Sequence, residues 1–320
     1  MVGLGVMRGP RVHGCGAVLG PSCQACLELR PVSAREFFRC LNRAAISPGA
    51  RALTFCGRGI RCMMSGVVHT MKGLLLEELT WKEAKQAFED YGAIAIPIGA
   101  VLKEHGPHLP LKTDFMLATH WAAEVARRFP IIVAPVVGWG YYPAFIDFAG
   151  SVSLDARTFM DLLTDICRSF VRNGIRKILW LNTGVSTTPP LLLLTRELNQ
   201  AFSGTALVGL MNLVDLGREE IEGQLLQPSG SHADELETSL ILAIDESAVD
   251  MSKATRDFGH GKKGGPIQRP SKMQARDERS GQETSGIFGD ATLASKEKGE
   301  QFWEIIFNQL DPIQDFLSSE

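Results

Sequence analysis

The segment Lys103-Glu104-His105-Gly106-Pro107-His108, followed by Asp114, concentrates side chains that can bind a metal ion. Two imidazoles and two carboxylates fall within eleven positions, and this mixture suits a divalent metal that prefers nitrogen and oxygen ligands. Gly106 and Pro107 would bend the backbone so that these side chains can face one ion. The alternative is a polar loop in which Asp114 only caps the following helix, so the segment alone leaves both interpretations open.

A second polar cluster, His232-Ala233-Asp234-Glu235-Leu236-Glu237-Thr238-Ser239, lies near the end of the chain. If it is helical, His232 and Glu235 are three positions apart and share a face. A carboxylate there could complete a metal shell while His232 moves a proton, with Asp234 or Glu237 orienting the ring. The alternative is an acidic first turn of a solvated helix, which the helix dipole favours in any case.

Other side chains are candidates for contacts with a substrate. Trp139 and Tyr142 lie in a Gly- and Pro-containing loop and could wall a pocket, where Tyr142 could donate a hydrogen bond. Ordinary loop packing explains them equally well. Ser186 and Thr187 could bind substrate oxygens or cap the next helix, and capping is the favoured interpretation. His260 and Lys262 could belong to a lid, but a solvated loop suits them better.

Alternating strands and helices must position these clusters. Short apolar runs at 93–98, 131–137, 177–181 and 206–211 predict buried strands. Helical patterns are predicted at 80–91, 114–128, 155–173, 190–202, 232–244 and 292–317. This order predicts an α/β fold, a three-layer α/β/α sandwich with a mostly parallel sheet. Ligands bind beyond the carboxyl ends of such strands, where 103–114, 138–151 and 182–188 would meet the 232–239 cluster.

Composition limits the possible partners. The chain has 320 residues, 45% of them hydrophobic, and a net charge of −3, which gives no sign of a nucleic-acid partner. No apolar run approaches the ~20 residues that span a membrane. Residues 71–320 contain Cys167 as their one cysteine, which excludes an internal disulfide and predicts a cytoplasmic protein.

Residues 1–70 differ from the rest, with nine Arg, no Lys, two acidic residues and six Cys. We interpret them as an N-terminal extension that is disordered or precedes a true start at Met71. Their Arg-rich, acid-poor composition also resembles an organelle transit peptide. Cys23 and Cys26 form a CxxC pair without a second pair at zinc-finger spacing. The predicted catalytic domain is therefore 71–320.

Four ordered motifs in 71–320 resemble those of the creatininase family. Pro97-Ile98-Gly99 with His105-Gly106-Pro107-His108-Leu109-Pro110 and Asp114 resembles its opening motif. Residues 148–154 are similar to its Phe-Pro-Gly-Thr-Ile-Ser-Leu segment, and residues 232–239 to its His-Ala-Gly-Glu-x-Glu-Thr-Ser motif. Residues 285–290, with Ala294 and Lys298-Gly299, resemble its C-terminal signature.

This resemblance implies a metal-dependent hydrolase that cleaves a C–N bond of a cyclic or linear small-molecule amide by means of metal-activated water. It implies one or two divalent ions, Zn or Mn, and a homo-oligomer, in many members a hexamer. The family's ligand His and bridging Asp fall on His105 and Asp114, its proton-carrying His on His232, and its following ligand Glu on Glu235.

The chain departs from the family pattern at two places. The family has a Glu two positions before the first His, where this chain has Lys103, while Glu104 is directly adjacent to His105 and could still be aimed at a metal by a bulge. The family also has an Asn-Gly-His-Gly-Gly-Asn segment, and Gly184 stands where its ligand His belongs. The expectation is one metal site with a doubtful second one. The competing hypothesis is a non-catalytic or altered-specificity member that keeps the fold and binds a small ligand.

Overall fold

Five parallel strands form the central sheet of the protein, whose computed structural model describes residues 61–64, 67–258 and 284–319. The described strands are β1 (Arg61–Met64), β2 (Val67–Thr70), β3 (Leu74–Leu75), β4 (Ala93–Ile98), β5 (Ile132–Val133), β6 (Lys177–Asn182), β7 (Leu207–Asn212), β8 (Arg256–Asp257) and β9 (Gly289–Asp290). The order in the central sheet is β3-β5-β4-β6-β7. β1 pairs with β2, and β8 with β9, in antiparallel fashion.

Helices connect the strands of this sheet and complete the described chain. They are α1 (Trp81–Tyr91), α2 (Thr113–Arg128), α3 (Ala156–Arg172), α4 (Thr188–Ala201), α5 (Arg218–Glu222), α6 (Glu235–Ile244), α7 (Lys296–Asn308) and α8 (Pro312–Ser318). Thr80 and Glu83 form a capping box at the start of α1, in which each side chain accepts a hydrogen bond from the other residue's backbone N–H. Gly174 follows α3 with a φ of 98°, which glycine adopts without a steric penalty.

Side chains of β4 alternate between two apolar cores on opposite faces of the sheet. Ala95 faces the core that contains Trp121 of α2, and Ile96 faces the core that contains Leu163 of α3. Every residue of β4 is buried, as expected for a parallel strand covered on both faces. The predicted α/β fold with helices on both sides of a mostly parallel sheet is confirmed.

Proline residues account for two differences from the predicted elements. The strand predicted at 131–137 is only Ile132–Val133, because Pro135 has no N–H to donate to a neighbouring strand. The closing helix predicted at 292–317 is divided into α7 and α8, and Pro312 opens the second helix.

The helix predicted at 232–244 begins later than expected. His232 is extended and pairs with Phe288, Ala233 has a φ of 48°, and α6 begins at Glu235. The Asp234 side chain accepts a hydrogen bond from the Glu237 N–H and caps the helix. The inference that His232 and Glu235 share a helical face is therefore wrong.

Several predicted features lie outside the described residues. These are most of the N-terminal extension, including Cys23 and Cys26, and the candidate lid residues His260 and Lys262. No helix in the described ranges combines the length and the apolar composition needed to cross a membrane.

Candidate active site

The carboxyl ends of β4 and β6 bring the first polar segment and the 182–188 turn together. Gly99 follows β4 and packs so closely on α2 that a Cβ there would lie 2.3 Å from the Asp114 carbonyl oxygen. The Thr183 hydroxyl, just after β6, lies 3.1 Å from the Ile98 carbonyl oxygen and 3.4 Å from that of Asp114. The start of α2 is therefore held at the edge of the sheet where ligands bind in open α/β folds.

Asp114 links an ammonium and an imidazole at the base of this region. Lys103 Nζ donates to Asp114 Oδ2 over 2.8 Å, and His105 Nε2 lies 3.0 Å from Asp114 Oδ1. All three residues are buried, with Asp114 0% exposed. Burying a charge requires a paired group of opposite sign, and the lysine and the aspartate satisfy each other.

His232 lies far from Glu104 in the sequence, but its side chain joins the same cluster. Its Nε2 lies 3.1 Å from Glu104 Oε2. Its ring centroid is 4.8 Å from that of His105 and 4.5 Å from that of Phe145. The pairing with Phe288 and the positive φ of Ala233 aim the imidazole at this cluster rather than along α6.

Glu237 is the carboxylate of α6 that approaches His232. Its Oε2 lies 3.7 Å from His232 Nδ1 and accepts a hydrogen bond of 2.5 Å from the Ala233 N–H. Donor atoms of His105, His232 and Glu237 all lie within 4.8 Å of one another. The sequence predicts only that Glu237 orients His232, whereas the structure also places its carboxylate among the donor atoms that could hold a metal ion.

Glu235, the predicted ligand, is not brought to this cluster. Its Oε2 accepts hydrogen bonds from the N–H groups of Leu226 and Gln227 at 2.9 and 2.8 Å, and its Oε1 pairs with Lys298 Nζ at 2.6 Å. Both oxygens are thus engaged on the other side of α6, and the residue is fully buried there. Because α6 starts at Glu235 and not at His232, the two residues do not share a face.

Burial dominates the protonation of the cluster. It raises the pKa of Glu104 to about 7, although the Gly106 N–H that bonds the carboxylate acts in the opposite direction. It raises the pKa of Glu237 as well. Burial, reinforced by His105 and Lys103, holds the pKa of His232 well below its usual value. A neutral imidazole therefore lies beside carboxyl groups that resist ionisation unless a cation is near.

Asp114 behaves differently from these carboxyl groups. Burial acts to raise its pKa, but the charges of Lys103 and His105 outweigh burial and hold the pKa well below its usual range. Asp114 is consequently an anion throughout the neutral pH range.

The predicted substrate contacts lie at different depths. Tyr142 is buried, and its hydroxyl has no hydrogen-bond partner in the described part of the chain. Trp139 is 47% exposed in the loop before it. Ser186 is partly buried in the turn before α4. The capping role favoured for Ser186 is wrong, because α4 has its N-cap at Thr187 and no side-chain capping bond.

The residues present fit one divalent ion. The Lys103 carbonyl oxygen lies 3.0 Å from His105 Nδ1, so a ring that carries its N–H on Nδ1 would have a lone pair on Nε2. In that tautomer the lone pair would face Asp114 Oδ1 at 3.0 Å, and a cation would join the two acceptors. His105, Asp114 and Glu237 supply nitrogen and oxygen donors of the kind that Zn and Mn accept. Gly184 supplies no ligand atom.

The fold and the cluster together define an α/β protein with a candidate divalent-metal centre at the carboxyl edge of its sheet. The chain belongs to the creatininase family of hydrolases, because residues 77–311 match the family described as creatinine amidohydrolase. This match lies within the predicted domain 71–320.

Characterised relatives act on different substrates. The chain is 29% identical to the 3-dehydro-scyllo-inosose hydrolase of Thermotoga maritima, covering 75% of this chain and 82% of that protein. It is 28% identical to the creatinine amidohydrolase of Pseudomonas putida, covering 73% of this chain and 93% of that protein. It is 28% identical to a mycofactocin precursor peptide peptidase of Mycobacterium tuberculosis, covering 66% and 80%.

Solved creatininase structures share the fold. A crystal structure of creatinine amidohydrolase has a TM-score of 0.64 and 26% identity, covering 78% of this chain and all of that one (100%). A creatininase variant in a Zn–Zn form has a TM-score of 0.64 and 27% identity, covering 77% and 98%. A Mn form has a TM-score of 0.63 and 25% identity, covering 77% and 100%.

Proposed function

We propose that this protein is a metal-dependent hydrolase that cleaves a C–N bond in a cyclic or linear small-molecule amide. The observation that carries the proposal is the convergence of His105, His232 and Glu237, whose donor atoms lie within 4.8 Å of one another, both imidazoles buried and the carboxylate partly buried. Polar groups withdrawn from water in this way need a common partner. Zn and Mn forms among the solved relatives support a divalent ion as that partner.

In this proposal His105, Asp114 and Glu237 hold the ion, and Glu104 lies beside them. When bound, the ion supplies a Lewis acid for the amide carbonyl and lowers the pKa of a water molecule toward neutrality. Asp114 remains ionised because Lys103 is paired with it. Glu235 keeps a structural role through Lys298.

His232 carries the proton in this scheme. Its low pKa keeps the imidazole neutral, so it can accept a proton from the attacking water and pass it to the leaving nitrogen. Glu104, 3.1 Å from Nε2, orients the ring and stabilises the imidazolium that forms. The Phe145 ring limits access of bulk water on one side.

Tyr142 and Trp139 are the proposed substrate contacts. A buried hydroxyl without a partner costs stability, about 1–3 kcal/mol, and such a group is retained where a ligand completes its hydrogen bond. Trp139 is half-exposed and can cover an apolar part of the substrate. Ser186 lies in the turn after β6 and can bond a substrate oxygen.

The test begins with the full chain stripped of metal by a chelator and reloaded with Zn²⁺ or Mn²⁺. Each form is assayed on a panel of lactams, formamides and creatinine, with release of amine or acid as the readout. We expect activity that disappears with chelation and returns with metal. Asp114→Asn should abolish metal binding and with it the activity. Asp161 is an exposed carboxylate of α3 paired with Arg157, so Asp161→Asn is the matched control. Undiminished turnover by the metal-free protein would refute the proposal.

A second candidate function is hydrolysis of a carbocyclic ketone. It is favoured by the 29% identity to a hydrolase whose named substrate, 3-dehydro-scyllo-inosose, is not an amide. With an ion bound, the same centre would polarise the ketone for attack by water. Cleavage of the ring C–C bond beside the carbonyl, with the proton passed to the leaving carbon, would then complete the hydrolysis. Including cyclic polyol ketones in the panel separates the two activities. A chain that binds metal and turns over neither class would instead be a ligand-binding member of the family.

A further inference from the structure

Lys103 is a buried cation in the centre of the candidate site. It is 5% exposed, and its Nζ lies 2.8 Å from Asp114 Oδ2. Lysine side chains are rarely buried, because removing the ammonium from water costs free energy. The Asp114 carboxylate at this distance offsets that cost. Because Asp114 is 0% exposed, the two residues form a buried ion pair and not a surface contact.

The Asp114 carboxylate bridges two positively charged positions. Oδ2 faces the Lys103 ammonium, and Oδ1 faces His105, which we assign to the ion. An ion bound to Oδ2 would lie roughly 2.0–2.2 Å from that oxygen. The ammonium already occupies this direction at 2.8 Å, and two like charges would repel strongly there.

Two aromatic rings beside Lys103 Nζ suit an ammonium better than a metal ion. The Tyr142 and Phe145 ring centroids lie 5.6 and 4.9 Å from Nζ, where aromatic faces attract a cation. Aromatic carbon offers no coordinate bond. Gly184 lies against the Tyr142 ring, since a Cβ there would be 3.4 Å from Tyr142 Cε1, so residue 184 contributes no side chain either.

We propose that the Lys103 ammonium takes the place of a second divalent cation, so that this chain binds a single ion and uses lysine for the other positive charge. This inference rests on the proposed function, because it describes the same site. A Zn–Zn form exists for a related creatininase, and the lysine explains why that arrangement is not expected here. The ammonium supplies a fixed positive charge next to Asp114 Oδ2 and, unlike a bound ion, does not exchange with metal in solution.

The first experiment measures stoichiometry in the full-length wild-type chain. Chelator-treated protein is loaded with excess Mn²⁺, passed through a desalting column and analysed by elemental mass spectrometry and electron paramagnetic resonance. We expect one Mn per chain with the spectrum of an isolated ion. Two Mn per chain with a spin-coupled spectrum would overturn the role of Lys103 and leave the proposed hydrolase intact. No bound metal would overturn both.

The second experiment changes the charge at residue 103. Lys103→Glu replaces the ammonium by a carboxylate next to Asp114, and we expect a second Mn per chain and the appearance of spin coupling. Lys103→Arg keeps the charge and should keep one ion, which controls for the loss of the lysine itself. A Lys103→Glu protein that folds, as judged by its circular dichroism, and still binds one Mn would refute the proposal. If that variant does not fold, the wild-type stoichiometry remains the deciding measurement.

Discussion

Glu235 and Glu237 lie two positions apart at the start of one helix, yet their carboxylates serve opposite sides of it. Glu237 faces His232, with 3.7 Å between Oε2 and Nδ1, while Glu235 pairs with Lys298 at 2.6 Å. Successive helical positions are separated by about 100°, so a separation of two positions turns the second side chain away from the first. The start of α6 therefore decides which of the two acids lies beside His232.

Exchanging each acid for its amide should separate metal binding from stability. Glu237→Gln should weaken Zn²⁺ or Mn²⁺ binding by at least about tenfold, because it removes a proposed ligand charge. Glu235→Gln should leave the ion in place and lower the free energy of unfolding by about 2–3 kcal/mol, because the partly buried Lys298 loses its anionic partner. Isothermal titration and urea denaturation measure the two effects. The reverse pattern would restore Glu235 as the ligand.

His232→Ala should separate proton transfer from metal binding. We expect kcat to fall by about 10²–10⁴-fold, the usual contribution of a general acid or base, while metal content stays near that of the wild type. Elemental analysis and steady-state kinetics are the measurements. His120, partly buried against Trp303 and Phe307, provides the His→Ala control away from the cluster. Loss of the metal in His232→Ala would mean that His232 is a ligand.

Asp114→Asn should abolish metal binding and also destabilise the fold. The change leaves Lys103 buried without an anion, which costs about 3–5 kcal/mol. The double variant Lys103→Met with Asp114→Asn removes the unpaired charge and should recover much of that loss. Urea denaturation of the metal-free single and double variants measures the coupling. If the losses of Lys103→Met and Asp114→Asn simply add in the double variant, the two residues are not energetically linked. Full metal occupancy in Asp114→Asn would contradict its assignment as a ligand.

Tyr142→Phe should affect substrate binding more than stability. The hydroxyl is buried without a partner in the described chain, so its removal should leave Tm unchanged or raise the free energy of unfolding by about 1 kcal/mol. If the hydroxyl bonds the substrate, KM should rise by about tenfold, the value of one neutral hydrogen bond. Thermal melting and kinetics on the active substrate test both points. A marked loss of stability would indicate a structural hydrogen bond instead.

His108 should make the metal-free protein less stable at mildly acidic pH. Burial lowers its pKa to about 4 from an ordinary value of 6.5. Between these values the unfolded chain binds a proton that the folded chain does not, so stability is complete above about pH 6.5 and decreases as the pH falls toward 4. His108→Asn should flatten this part of the profile of unfolding free energy against pH.

Thr238→Val controls for this experiment because it removes the hydroxyl that lies 2.8 Å from His108 Nε2 and keeps the imidazole. Its profile should remain as steep as that of the wild type between pH 6.5 and 4. An equally steep profile in His108→Asn would assign the effect to another group.

Apolar periodicity and helix capping are local properties, and they were enough to predict the α/β architecture and the convergence of the polar segments. The ordered motifs also pointed to His105, Asp114, His232 and Glu104 as candidates, and the structure places these four side chains together. That Glu237 rather than Glu235 lies beside His232 depended on the tertiary structure. The pairing of His232 with Phe288 and the φ of 48° at Ala233 delay the helix until Glu235, and no local pattern predicts a contact over so many residues.

The burial of the Lys103 ammonium likewise depends on the tertiary structure. In sequence it is a substitution that interrupts a ligand pattern, and nothing local indicates whether its ammonium points to solvent. The folded chain buries it between Asp114 and the rings of Tyr142 and Phe145. The physical reason is that the free energy of a buried charge depends on every group around it, and those groups come from separate parts of the chain.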